Sequence, residues 1–195
     1  MKEKIIEASL QQFLLHGIKE ITMQKLVVPL GISTKTMYKY FTNKEDLLEE
    51  CLKVHYGEAD KTLKDILTGS PNPVVSLFRV YYIALEQDFG INHLFYHDLN
   101  YYYPDLQDKV IREYSNGALE AVTTLIRQGI DGAYFLDYLI APVVLETLTI
   151  LYTSVTRSNA YKQFGMKRDV VKHTIDIYLR GICTAKGLEI IDQLK

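Results

Sequence analysis

The stretch from Thr22 to Leu47, TMQKLVVPLGISTKTMYKYFTNKEDL, decides the reading of this chain, because it holds three helix starts in close succession. Thr22 precedes a segment of helical periodicity and can accept a hydrogen bond from a free N–H of the first turn. Ile21 and Leu26 flank it at the spacing of a hydrophobic staple. Ser33 repeats the device, with Ile32 and Met37 as its staple. Asn43 opens a longer helix, and Glu45 and Asp46 then lie where negative charge suits the helix dipole. Between the first two starts, Gly31 tolerates the positive φ that a tight turn asks for. A helix, a short turn and a second short helix make the helix-turn-helix plan. Pro29 has no N–H to give to the carbonyl of Lys25, and it biases Val28 away from helix. The second helix is therefore predicted to stop between Lys25 and Val28.

The short helix after Ser33 has the chemistry of a surface that meets a duplex. Met37 and Phe41 anchor it inward, whereas Thr34, Lys35, Thr36, Tyr38, Lys39 and Tyr40 all carry hydrogen-bond donors. Residues of this kind reach base edges near the helix start and hold phosphates further along. Lys44, beside the free N–H groups that open the fourth helix, adds an anion-binding position. Charge agrees with this reading. Residues 1–44 hold seven lysines against three glutamates, a balance of +4, in a chain whose net charge is −2; the remainder carries −6. Upstream, Ile6, Leu10, Phe13 and Gly17 share one face of a first helix, widened by Ile5 and Ala8 and ended by Gly17.

These residues resemble the signature of the TetR-type transcriptional repressors. The resemblance runs through Thr22-Met23-Gln24-Lys25-Leu26, Gly31-Ile32-Ser33 and Met37-Tyr38-Lys39-Tyr40-Phe41-Thr42-Asn43-Lys44-Glu45-Asp46-Leu47, and Ile5, Ala8, Leu10, Phe13 and Gly17 match the first helix. It covers about residues 5–52. Val27, Val28, Pro29 and Leu30 depart from the small or charged residues usual there, as do Leu14 and Leu15 from polar ones. The resemblance implies an all-α chain: a helix-turn-helix domain at 1–48, and a helical effector-binding and dimerisation domain at 49–195. It implies an operator-binding homodimer that needs no cofactor, with Thr22, Ser33, Thr34, Lys35, Thr36, Tyr38, Lys39, Tyr40 and Lys44 on the DNA side. The last two helices of each subunit would form an intersubunit four-helix bundle.

The remainder reads as helix throughout. Breaks at Gly17, Gly31–Ser33, Thr42-Asn43, Gly69–Pro73, Pro104, Gly129–Gly132 and Gly165 divide the chain into about nine helical pieces, the last from Lys167 to Gly187. Two apolar sets are wider than packing inside one subunit needs. Leu139, Val143, Leu145, Leu148, Leu151 and Tyr152 form one; Val170, Val171, Ile175, Ile177, Tyr178 and Ile182 form the other. Aromatic residues are dense after Gly69. Tyr101, Tyr102 and Tyr103 are consecutive and cannot share one core, so a pocket for a small, mostly apolar organic effector is expected. Its expected walls are Tyr82, Phe95, Leu99, Tyr102, Tyr114 and Leu125.

Other classes of function find less support. His93 and His97 have the i, i+4 spacing of paired metal ligands, with Asp98 adjoining, but no second half-site accompanies them, so no metal is expected. Nucleophile elbows, phosphate loops and dinucleotide fingerprints are missing, which argues against an enzyme. Two cysteines, an N-terminus without a secretory pattern and the lack of a membrane-length apolar run point to the cytoplasm. The competing readings are a DNA-binding regulator without a small-molecule effector, and a helical enzyme or scaffold with an incidental helix-turn-helix.

Overall fold

A computed structural model describes residues 1–195 other than 71, 158–160, 162–163, 165–166 and 194–195; of 115, 116, 167 and 168 it describes the backbone alone. The break expected at Gly165 lies outside the described residues. Among these there are eleven α-helices and no strand. They are α1 (Lys2–His16), α2 (Met23–Leu30), α3 (Thr34–Met37), α4 (Lys44–Gly69), α5 (Pro73–Phe89), α6 (His93–Tyr102), α7 (Pro104–Asp131), α8 (Ala141–Arg157), α9 (Lys167–Val171), α10 (Ile177–Gly181) and α11 (Ala185–Asp192). A π-helical turn, Lys172–Asp176, joins α9 to α10 without a break.

The closing stretch differs from the single helix expected to run to Gly187. The chain leaves the helix after Gly181, and Thr184 starts α11 by accepting from the N–H of Gly187 at 3.2 Å. The same hydroxyl donates to the carbonyl of Ala133 at 2.8 Å, which fixes the new start beside the end of α7.

The expected early end of α2 is also corrected. The helix continues through Pro29 to Leu30. Only one hydrogen bond is lost, and the helix closes one residue later. Gly31, at φ 62°, gives its N–H to Val28 at 3.2 Å, and Ile32 gives its own to Val27 at 3.3 Å. That paired closure is a Schellman motif, and it satisfies the last carbonyls whatever Pro29 lacks. Pro29 and Val28 face outward, while Leu26 and Val27 face the core.

The helices form two compact units. The first comprises Met1–Asp60 and Gly90–Ser115, the second Lys61–Phe89 and Asn116–Lys195. The chain passes from one to the other within α4, between α5 and α6, and within α7. In the first unit Phe13, Leu26, Met37, Phe41, Leu47 and Leu48 from the N-terminal helices share one core with Phe95 and Leu99 of α6. In the second, Leu77, Ile126, Phe135, Leu148, Ile175 and Leu179 make the centre. Cys51 and Cys183 are buried free thiols in separate cores.

Candidate nucleic-acid interface

The helix starts read from the sequence are built as their chemistry dictates. The Thr22 hydroxyl accepts from the N–H of Lys25 at 3.2 Å, and the Ser33 hydroxyl from that of Thr36 at 3.1 Å. Asn43 accepts from the N–H of Asp46 at 2.8 Å, while Asp46 accepts from the N–H of Thr42 at 2.9 Å. Ile21, Leu26 and Met37 of the two staples are buried.

The recognition segment is more tightly wound than the sequence implies. It is α-helical only to Met37; Lys39 and Tyr40 then bond back three residues, to Thr36 and Met37. This tightening turns Phe41 into the core, where it is 1% exposed. It leaves Tyr38 and Tyr40 outside, 55% and 41% exposed, beside exposed Lys35 and Lys39. The side chains of these four residues form no hydrogen bond among the described residues. Thr34 is half-buried, and Ser33 and Thr36 share a hydroxyl–hydroxyl bond of 3.0 Å besides the cap.

Lys44 is used differently from the solvent-facing lysines. Its ammonium donates to the carbonyl of Ile18 and, at 3.3 Å, to that of Lys19. Burial pulls its pKa below the ordinary lysine value. The loop it holds, from Gly17 to Ile21, is gripped from the other side by α6. The contact is made by two residues, Asp98 as acceptor and Asn92 as donor, that the sequence gave no reason to pair with this part of the chain. Asp98 Oδ2 accepts from the N–H groups of Ile18 and Lys19 at 2.8 and 2.7 Å. Asn92 donates its backbone N–H to Leu14 at 2.7 Å and its side-chain amide to Leu15 at 3.0 Å. Gly17, at φ 81°, leaves room for this approach, since a Cβ there would lie 2.9 Å from the Cβ of Leu94. Asp98 thus serves as a loop acceptor, with His97 Nδ1 3.4 Å from its other oxygen. No group of three or more metal-binding side chains occurs among the described residues.

The six residues expected to wall an effector pocket are distributed over both units. Phe95 and Leu99 are fully buried in the first core. Tyr102 is 41% exposed, with the Lys19 ammonium 5.1 Å from its ring centre, and Tyr114 packs partly buried near Gly57. In the second unit, Leu125 lines an open groove of about 640 Å³ with Leu67, Ser70, Glu120 and Gln128. Tyr82 lines another, of about 460 Å³. The two apolar sets on α8 and α9–α10 also divide. Leu148, Val171, Ile175 and Ile182 are buried within the second unit, whereas Val143 and Ile177 are 57% and 59% exposed. Ile140 and Ile150, absent from those sets, are 65% and 57% exposed. No described helix is long and apolar enough to cross a membrane.

Residues 5–51 match the family model described as bacterial regulatory proteins, tetR family. No curated protein matches the chain. Among solved structures, the chain is similar to a TetR-family transcriptional regulator from Marinobacter aquaeolei VT8, with 19% identity, TM-score 0.76, and 100% of this chain and 96% of that one covered. A TetR-family regulator from Agrobacterium tumefaciens gives 13% identity and TM-score 0.79 over 94% and 97% of the two chains. The fatty acid degradation regulator FadR from Bacillus halodurans gives 20% identity and TM-score 0.73 over 93% and 95%. At these identities the structural likeness speaks for the fold, and the matched segment coincides with the helix-turn-helix built above. Residues 5–51 thus match the domain of the tetR family of bacterial regulatory proteins, and the chain shares its fold with solved TetR-family regulators.

Proposed function

We propose that the chain is a transcriptional repressor that binds an operator duplex as a homodimer in the cytoplasm and is released by a small organic effector. The observation that carries the DNA side is the unpaired polar face formed by Lys35, Tyr38, Lys39 and Tyr40, held rigid by Met37 and Phe41 in the core. Lys35 and Lys39 supply charge for phosphates; Thr34 stands at the helix start, where base edges are read, and Tyr38 stands at the helix end beside Lys39. Thr22, Ser33 and Thr36 act mainly by fixing the helix starts. Lys44 holds the loop in the free protein and reaches a phosphate only by leaving those carbonyls.

Support for the homodimer comes from Ile140, Val143, Ile150 and Ile177, aliphatic side chains left largely outside the second core. Covering them in a two-fold pair gives an obligate-type interface of roughly 2,000 Å². The two reading heads then meet successive major grooves about 34–36 Å apart.

A regulator without a small-molecule effector is the second reading. It is favoured by the full burial of Phe95 and Leu99, which closes the first core where part of the pocket was expected. Selection of the operator from random duplexes with the purified chain tests the DNA reading. Recovery of a two-fold symmetric site supports it, and the absence of any enriched sequence at low salt overturns it.

A further inference from the structure

The groove that holds Tyr82 lies wholly within the second unit and has an uneven chemistry. Its floor is apolar: Phe78 and Ile191 are 6% and 4% exposed. One wall is flat, because the rings of Phe78 and Tyr82 stack with centres 6.2 Å apart and planes 17° from parallel. The opposite wall is charged and comes from one stripe of the last long helical stretch, Lys172, Asp176 and Arg180.

That stripe depends on the π-helical turn. In an α-helix every fourth residue advances by about 40° around the axis, so three residues spaced by four spiral away from one line. The wider turn over Lys172–Asp176 lags behind this advance, and the following α-helical turn restores it. Lys172, Asp176 and Arg180 therefore face α5 together. Ile177 is exposed on a neighbouring stripe, apart from the groove wall.

The charges in the groove are not balanced. Arg180 is occupied, with Asp176 at 3.5 Å and Asp192 at 3.3 Å. Asp176 is held further by the Tyr82 hydroxyl, which donates to it at 3.0 Å. Burial and the neighbouring carboxylate push the Tyr82 pKa up to about 12, so the hydroxyl keeps its proton for that bond. Arg79 and Lys172 are exposed at the groove and have no hydrogen bond or ion pair among the described residues. An apolar floor, a flat aromatic wall and two unmatched cations at the edge are complementary to one kind of small molecule.

We propose that this groove binds a small amphipathic anion: a flat apolar body lying on Phe78, Tyr82 and Ile191, with a carboxylate paired to Arg79 and Lys172. The guanidinium offers a two-pronged grip on a carboxylate and the ammonium a point charge, so the acid is selected over its neutral counterpart. This goes beyond the DNA-binding reading and is tested without DNA, so either can fail alone.

Titration calorimetry of the full chain with 2-naphthoate and, separately, 2-naphthalenemethanol reads the two halves of the site. The acid is expected to bind about tenfold tighter than the alcohol, equivalent to about 1.4 kcal/mol. In the double variant Arg79→Gln, Lys172→Gln that preference should fall to near unity while the alcohol binds as before. Both residues are exposed, so the variant should retain its circular dichroism and melting temperature. Equal affinity for acid and alcohol in the parent chain, a preference that survives in the double variant, or no heat from 2-naphthoate at millimolar concentration would each overturn the proposal.

Discussion

The two units finish their surfaces in opposite ways. In the first, most large side chains go inward, Leu15 and Val28 being isolated exceptions among the N-terminal helices, and the helix starts and the loop after α1 are closed by named partners, which leaves a polar face on α3 and the turn that follows. In the second, a comparable core forms, yet Ile140, Val143, Ile150 and Ile177 stay more than half exposed. Isolated exposed aliphatics are ordinary, but four on α8, its approach and α10 ask for cover. The difference teaches that one unit is complete as a folded body with donors to offer, whereas the other still has apolar area to bury.

The largest effect should come from attacking that exposed face. Val143→Glu combined with Ile177→Glu places charge where the core is untouched. The variant should sediment as a monomer at micromolar concentration and lose at least about 100-fold in operator affinity, which is about 2.7 kcal/mol. A dimer of unchanged stability would remove this face from the interface and weaken the contrast between the units.

Next in size is the clamp on the first unit. Asp98→Ala strips two loop N–H groups of a charged acceptor, and should cost about 2 kcal/mol in urea unfolding. Asp98→Asn keeps one acceptor oxygen and should cost less. If the alanine variant unfolds like the parent, the loop is held by Lys44 and packing instead.

Smaller changes are expected on the polar face. Lys35→Ala and Lys39→Ala should weaken binding to all duplexes alike, each reducing the salt-dependence slope by about 1. Tyr38→Phe removes one hydroxyl and should cost about fivefold, near 1 kcal/mol. Unchanged affinities in all three would move the DNA surface away from α3.

The smallest effect belongs to Pro29→Ala. It restores an N–H for Lys25 but frees the unfolded chain, and the two nearly cancel, leaving stability within about 0.5 kcal/mol of the parent. A loss above about 2 kcal/mol, where Pro29 is exposed, would show that the ring fixes the α2 turn.

What was legible follows the range of the force involved. Thr22, Ser33 and Asn43 cap helices with partners three residues away, so their roles are visible in the local string. Pro29 misled because the closure at Gly31 and Ile32 takes over from the helix so soon that one missing bond matters little. Asp98 was illegible, since the N–H groups it accepts from are about eighty residues away, and its neighbours His93 and His97 drew attention to metal chemistry instead. Helical spacing told that Phe95, Leu99 and Leu125 face inward, but spacing carries no word of which core receives them.

The grip of α6 on the loop after α1 has a consequence for anyone cutting or grafting this protein. The segment that matches the family ends at residue 51, yet the first unit is finished by Gly90–Ser115. A fragment that stops near residue 60 would lose Phe95, Leu99 and Asp98 together, uncovering Phe13 and orphaning two backbone donors. The reading head is therefore not a portable cassette. A chimera that transplants it must bring α6 and the first half of α7 along, and during synthesis the head cannot close until residue 98 has left the ribosome.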